Sequence, residues 1–164
     1  MEQGKYTCKG EITAIVSNMV IVKAFGPLSQ NEICYFVHDG KHIMGEVIRI
    51  SGDKAYTQVF ESTRGFKAGM EVLFTGQMLE VYLGPGMLTK NFDGLQNDLN
   101  KMSGIFLERG ARTYPLDTDK EWAFKPLVVP DTEVTAGTWL GEVDEFGTPH
   151  KIMVPFRLKG TYKV

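Results

Sequence analysis

The sequence predicts a mainly β protein: a small N-terminal closed barrel, a second β-rich, barrel-sandwich-like unit, and one short helix between them. Three observations predict it. Glycine is frequent and spread, 18 in 164 residues, or about 11% against a usual level near 7%. Short runs rich in branched and aromatic residues lie between those glycines, the spacing that tight turns between short strands require. Prolines at 115, 126, 130, 149 and 155 punctuate the second half into further short runs.

The elements follow in order. A loosely alternating stretch from Lys5 to Val16 meets a turn at Ser17-Asn18, and Met19 to Val22 follows. Ile33 to His38 runs into Asp39-Gly40 and returns as His42 to Ile50. Asp-Gly between two such runs is a strong hairpin signal, because a type I′ turn needs positive φ at both central residues. Ala55–Glu61, Glu71–Thr75 and Leu79–Leu83 complete six or seven strands. Closing them into a barrel removes the exposed edges. Leu88, Phe92, Leu95, Leu99, Met102 and Phe106 then recur at spacings of four and three, an apolar helical stripe. Gly94 weakens it and Gly104 ends it, so a short core-packing helix is expected near 92–102. After Arg109 the rhythm is again that of strands. The boundaries expected are a barrel over 1–83, a connection over 84–110 and a second unit over 111–164.

Composition narrows function. Lys+Arg 18 against Asp+Glu 20 gives a net charge of -2, which argues against a nucleic-acid binder or a polybasic membrane anchor. No apolar run approaches the roughly 18 residues of a membrane-spanning helix, and the N-terminus lacks a signal segment. Cys8 and Cys34 cannot build a disulfide framework, and a reduced, cytoplasmic setting is the simpler reading.

The chemistry-bearing motifs are few. Leu83-Gly84-Pro85-Gly86 looks like a phosphate-cradling loop but is not followed by Gly-Lys-Ser/Thr. Lys90 precedes Asn91, and a turn stiffened by Pro85 explains the stretch. Cys34, His38 and His42 are spaced by four, which would align metal ligands only on a helix. Across the Asp39-Gly40 hairpin His42 opposes Val37, not His38, so no metal site is expected. Glu142, Asp144 and Glu145 read as a solvated hairpin tip rather than acid–base or calcium chemistry. Val134 to Val164 has the glycine and valine spacing of a biotinyl or lipoyl carrier domain, with Lys151 near the position of the modified lysine. It lacks the flanking residues of either acceptor type. A carrier modified on Lys151 is therefore the rival reading.

Taken together, the segments resemble the catalytic A subunit (alpha chain) of V-type and archaeal-type rotary ATPases. Gly45-Glu46-Val47-Ile48-Arg49-Ile50, Gln58-Val59-Phe60-Glu61 and Thr63-Arg64-Gly65-Phe66-Lys67-Ala68-Gly69 resemble its N-terminal barrel. Leu83-Gly84-Pro85-Gly86-Met87-Leu88 and Phe92-Asp93-Gly94-Leu95-Gln96 resemble the stretch before its nucleotide site. Ser103-Gly104, Arg109-Gly110, Trp122-Ala123-Phe124 and His150-Lys151-Ile152-Met153-Val154-Pro155 resemble the inserted bulge, the non-homologous region. The chain departs from the family at Asn97-Asp98, where Arg-Pro is usual, and at Phe156, where a second proline is usual. The resemblance implies an assembly segment of a parent that couples ATP hydrolysis or synthesis to proton or sodium transport. It implies neighbouring A and B subunits of a hexameric head as partners, and a peripheral stalk near the bulge. It implies no nucleic acid, no membrane insertion, and a cytoplasmic place peripheral to the membrane. It also implies that this is a fragment ending before the nucleotide-binding domain. ATP and Mg would then belong to that downstream domain, and no catalytic, cofactor-binding or metal-binding residue is expected here.

Overall fold

A computed structural model describes residues 6–102 and 108–164 of the chain. The chain divides into two compact units, Met1–Glu80 with Ser103–Arg112 and Val81–Met102 with Thr113–Val164. The architecture is mainly β, as the sequence predicts.

The first unit is a closed antiparallel barrel of six strands: β1 (Cys8–Val16), β2 (Met19–Ala24), β3 (Glu32–His38), β4 (Lys41–Ser51), β5 (Lys54–Val59) and β6 (Glu71–Met78). Around the barrel the order is β1-β2-β5-β4-β3-β6. Alternation places Ile12, Val20, Val22, Phe36, Ile43, Val47, Ala55, Val59, Val72 and Phe74 in one buried core. Burying each of the valine, isoleucine and phenylalanine side chains among them is worth about 1.5–3 kcal/mol relative to exposure. Gly45 lets the wall close on that core, because a Cβ there would lie 2.8 Å from the Gln58 carbonyl and 3.0 Å from the Phe36 ring. Asp39 and Gly40 both have positive φ, 49° and 73°, as the hairpin turn demands. His42 pairs with Val37, as expected from that turn.

Two buried polar side chains of the barrel strands, Thr57 and Glu32, have partners. The Thr57 hydroxyl donates to the Val20 carbonyl at 2.7 Å. The Glu32 carboxylate, only 1% exposed, accepts from the Ser29 and Gly76 backbone N–H groups, each at 2.6 Å. It ties the entry of β3 to the middle of β6.

Two expectations fail. Leu79–Leu83 is not a seventh strand: six strands already close the barrel and leave no free edge for another. In the second unit, the Tyr82 backbone pairs instead with a side chain. Its N–H donates to Gln96 Oε1 and its carbonyl accepts from Gln96 Nε2, both at 2.7 Å. The helix over 92–102 does not form either. Asp93 Oδ1 accepts from the Leu95 and Asn97 N–H groups at 2.9 and 2.8 Å, and Gln96 takes a positive φ of 61°. Aspartate offered the backbone a better local partner than a helical carbonyl would. Phe92 and Asp98 then form an antiparallel bridge, and only a 3₁₀ turn at Leu99–Lys101 remains, capped by Asp98. Gly104 and Phe106, the end of the expected stripe, lie outside the described residues.

The second unit holds β7 (Phe124–Pro126), β8 (Glu133–Val134), β9 (Trp139–Glu145), β10 (Thr148–Met153) and β11 (Tyr162–Lys163). They form a three-stranded sheet, β10-β9-β7, and a two-stranded one, β11-β8.

Candidate functional site

The loop 83–88 is the feature most like a ligand site, and it already holds an anion. Gly86 adopts φ 98°, a conformation that turns successive N–H groups inward. The Gly86 and Leu88 N–H groups both donate to Glu145 Oε1, at 2.7 and 2.9 Å. Glu145 Oε2 lies 3.0 Å from His150 Nδ1. Position explains the pairing: Glu145 ends β9 on the face shared with Gly141 and Val143, and His150 stands opposite Val143 on β10. Burial alone would raise the Glu145 carboxyl, but the Leu88 and Gly86 N–H groups and His150 outweigh it and hold it below its usual range.

Glu145 is therefore not part of a solvated hairpin tip: it is fully buried. The sequence contains no cue that separates it from Glu142 and Asp144 except its place in the β9 alternation. The tip itself is Phe146-Gly147, both with positive φ. Asp144 accepts from the Gly147 N–H there at 3.2 Å. Lys90, the basic residue after the loop, turns to the Pro115 carbonyl and to Asp98, at 3.3 and 3.5 Å. With its N–H groups committed to Glu145 and its lysine to Asp98, this loop does not fit a phosphate.

The other candidates are equally engaged. Lys151 is not at the hairpin tip. It sits within β10 opposite Glu142, to which its ammonium donates, and 5.4 Å from the Trp139 ring centroid. That hydrogen bond and the lysine's charge hold the half-buried Glu142 carboxyl below its usual value. A swinging-arm lysine needs a free tip, so the carrier reading loses its geometric basis. Cys34, His38 and His42 do not converge. Cys34 is buried in the barrel core, where burial, with Glu32 and Glu46 adding to it, pushes its thiol far above the usual value. His38 stands edge-on to Phe66 at 5.9 Å, and His42 edge-on to Tyr35 at 6.2 Å. Cys8 and Cys34 are both free and buried, on opposite neighbours of Phe74 in β6. Among the described residues no group of three His, Cys, Asp or Glu side chains is placed to hold a metal ion.

What each unit offers outward is apolar surface. On the barrel, Val16 and Met19 face each other across the β1–β2 turn and are exposed together with Phe25 and Phe60. On the second unit, the Tyr82 and Tyr114 rings meet at a tilt of 53° with centroids 5.3 Å apart, while each stays about half exposed. Leu83, Phe146 and Phe156 are also exposed. Among the described residues no helix is long and apolar enough to cross a membrane.

A closed antiparallel barrel followed by a second β unit, with its motif residues bonded to one another, is the architecture of a modular β segment. The comparisons identify which. The beta-barrel domain of the ATP synthase alpha/beta family matches residues 12–76, and the ATPsynthase alpha/beta subunit barrel-sandwich domain matches residues 113–164. A V-type ATP synthase alpha chain of Borrelia garinii subsp. bavariensis is 40% identical over 159 residues, 95% of this chain and 28% of that protein. One from Borreliella burgdorferi strain B31 is 42% identical with the same coverage. The chain belongs to the ATP synthase alpha/beta family. It spans 28% of the length of these relatives.

Proposed function

We propose that this chain is the N-terminal assembly segment of the catalytic A subunit, the alpha chain, of a V-type ATP synthase. The observation that carries the reading is the ordered match of both family domains together with 40% identity over 95% of the chain. On this reading the parent couples ATP hydrolysis or synthesis to proton or sodium transport. The barrel joins those of neighbouring A and B subunits in a closed ring at one end of a hexameric head. The exposed Val16–Met19 pair with Phe60 supplies apolar surface that such a heterologous contact would cover. The region 111–164 is the bulge on the outside of the head, toward the peripheral stalk. The complex sits against the cytoplasmic face of a membrane, and this segment neither enters the bilayer nor binds nucleic acid. The segment contributes no catalytic residue; ATP and Mg bind elsewhere in the parent.

Two measurements test this. Calorimetric titration of the 164-residue chain with Mg·ATP should show no binding, and micromolar affinity would sink the reading. A Borreliella burgdorferi alpha chain carrying this segment in place of its own should still assemble a head, and failure of a folded chimera to enter it would count equally against.

A further inference from the structure

In the second unit, two aromatic rings already hold a cation. The Lys120 ammonium lies 4.0 Å from the Trp122 ring centroid and 5.5 Å from that of Phe146. Lys120 and Phe146 are exposed and Trp122 is half-buried, so the site opens to solvent. The Glu145 clasp fixes both walls. Trp122 rests on the glycine loop, where a Cβ built at Gly86 would meet its Cζ2 at 3.5 Å, and the Gly86 N–H donates to Glu145. Phe146 follows Glu145 directly, at the hairpin tip.

Phe146 is a costly residue for that tip. Its φ is 53°, a left-handed conformation that suits asparagine or glycine and strains a bulky side chain. Its ring is also left 69% exposed. Strain kept at an exposed aromatic points to a binding role. Electrostatics then select the sign of the ligand. The face of an aromatic ring is the negative end of its quadrupole and attracts cations. Asp117, Asp119 and Glu121, the acidic residues nearest to Lys120 in the chain, are exposed. None of the three forms an ion pair among the described residues. Both features repel an anion. Among cations, a guanidinium has the advantage over the Lys120 ammonium, because it is planar, more weakly hydrated and stacks on an aromatic face.

We propose that Trp122 and Phe146 form a recognition site for an arginine side chain of a partner protein, with Lys120 as the resident cation that it displaces. The site stands on the second unit's own geometry and does not rest on the assembly reading.

The test titrates the 164-residue chain with N-acetylarginine amide at constant ionic strength, with N-acetyllysine amide as the comparison probe. The indole Nε1–H signals of Trp122 and of the exposed Trp139 are followed by NMR. The arginine probe should shift the Trp122 signal saturably and leave that of Trp139 without a saturable response. Lys120→Ala removes the competitor and should tighten binding about fivefold. Phe146→Asn keeps a residue suited to the turn and should weaken binding about threefold or more, with no loss of stability in urea. Four results would overturn the proposal. One is the absence of a saturable Trp122 shift in the native chain, and another is an equal response to the lysine probe. A matching saturable shift at Trp139 would show stacking on any exposed indole. Unchanged affinity in Lys120→Ala would show that the probe does not take the place of Lys120.

Discussion

Glu145 illustrates how one residue can look like chemistry and act as structure. Its carboxylate does for loop 83–88 what a bound phosphate does for a glycine-rich loop: it collects inward-facing N–H groups that would otherwise be buried unpaired. Replacing it removes acceptors that Gly86 and Leu88 need. Glu145→Ala should cost on the order of 3 kcal/mol, and Glu145→Gln about half that, since one amide oxygen remains. The pH dependence has a definite sign. Folding lowers the Glu145 carboxyl from its usual 4.5, so the unfolded chain takes up the proton more readily. The stabilisation is complete above about pH 4.5 and is lost as pH falls through the lower folded-state value. Glu142 is shifted in the same direction by Lys151, but it is less buried than Glu145 and partly screened by solvent. Urea titrations between pH 6 and 3, followed by tryptophan fluorescence, should show a steeper acid loss for the native chain than for Glu145→Gln. Equal slopes would reject Glu145 as the dominant acid-sensitive group. In the sequence only the β9 alternation separates Glu145 from its acidic neighbours, and what it pairs with, a loop nearly sixty residues away, is set by packing.

At the scale of elements, the legible ones were those whose local chemistry and tertiary setting agree. The β3–β4 hairpin is specified by Asp39-Gly40, and neither strand needs a distant partner to define its turn. The expected helix over 92–102 had apolar spacing in its favour, but spacing does not register that Asp93 and Asp98 can hydrogen-bond the local backbone themselves. Leu79–Leu83 had strand-like composition, yet a strand exists only where an edge is free to pair with it. Within the second unit, Gly141 of β9 allows a close approach of its neighbours. A Cβ at Gly141 would lie 2.2 Å from the Phe124 ring and 2.6 Å from the Lys125 carbonyl. Gly141→Ala should therefore destabilise by about 2–3 kcal/mol, in the range of overpacking in a full core. Adding Phe124→Ala should not restore stability, because the carbonyl is backbone and cannot move aside. Denaturant midpoints of the single and double variants decide this, and full rescue by the second change would show that the ring alone was the obstacle.

Across the molecule, the exposed ion pairs add little to a stability that comes mainly from burial. The ion pairs Lys9–Glu71, Lys23–Asp53 and Lys163–Asp131 join side chains that are each at least 46% exposed. Such pairs contribute little and are screened by salt. Raising NaCl from about 0.05 to about 0.5 M should change unfolding free energy by less than about 1 kcal/mol, read from urea midpoints. A larger loss would mean that surface charge carries weight the burial pattern does not give it.

Residue order by itself determined the β class, the glycine-paced turns, the hairpin at Asp39-Gly40 and the family, because each rests on local chemistry or on motifs read in sequence. Tertiary structure alone decided that six strands close the barrel, that Glu145 fills the glycine loop, that Lys151 is tied down within a strand, and that Arg109 Nε and Nη2 are buried with no acceptor among the described residues. Those outcomes depend on which groups meet after distant segments pack, and whether a polar group finds a partner is a property of the packed chain rather than of any stretch of it.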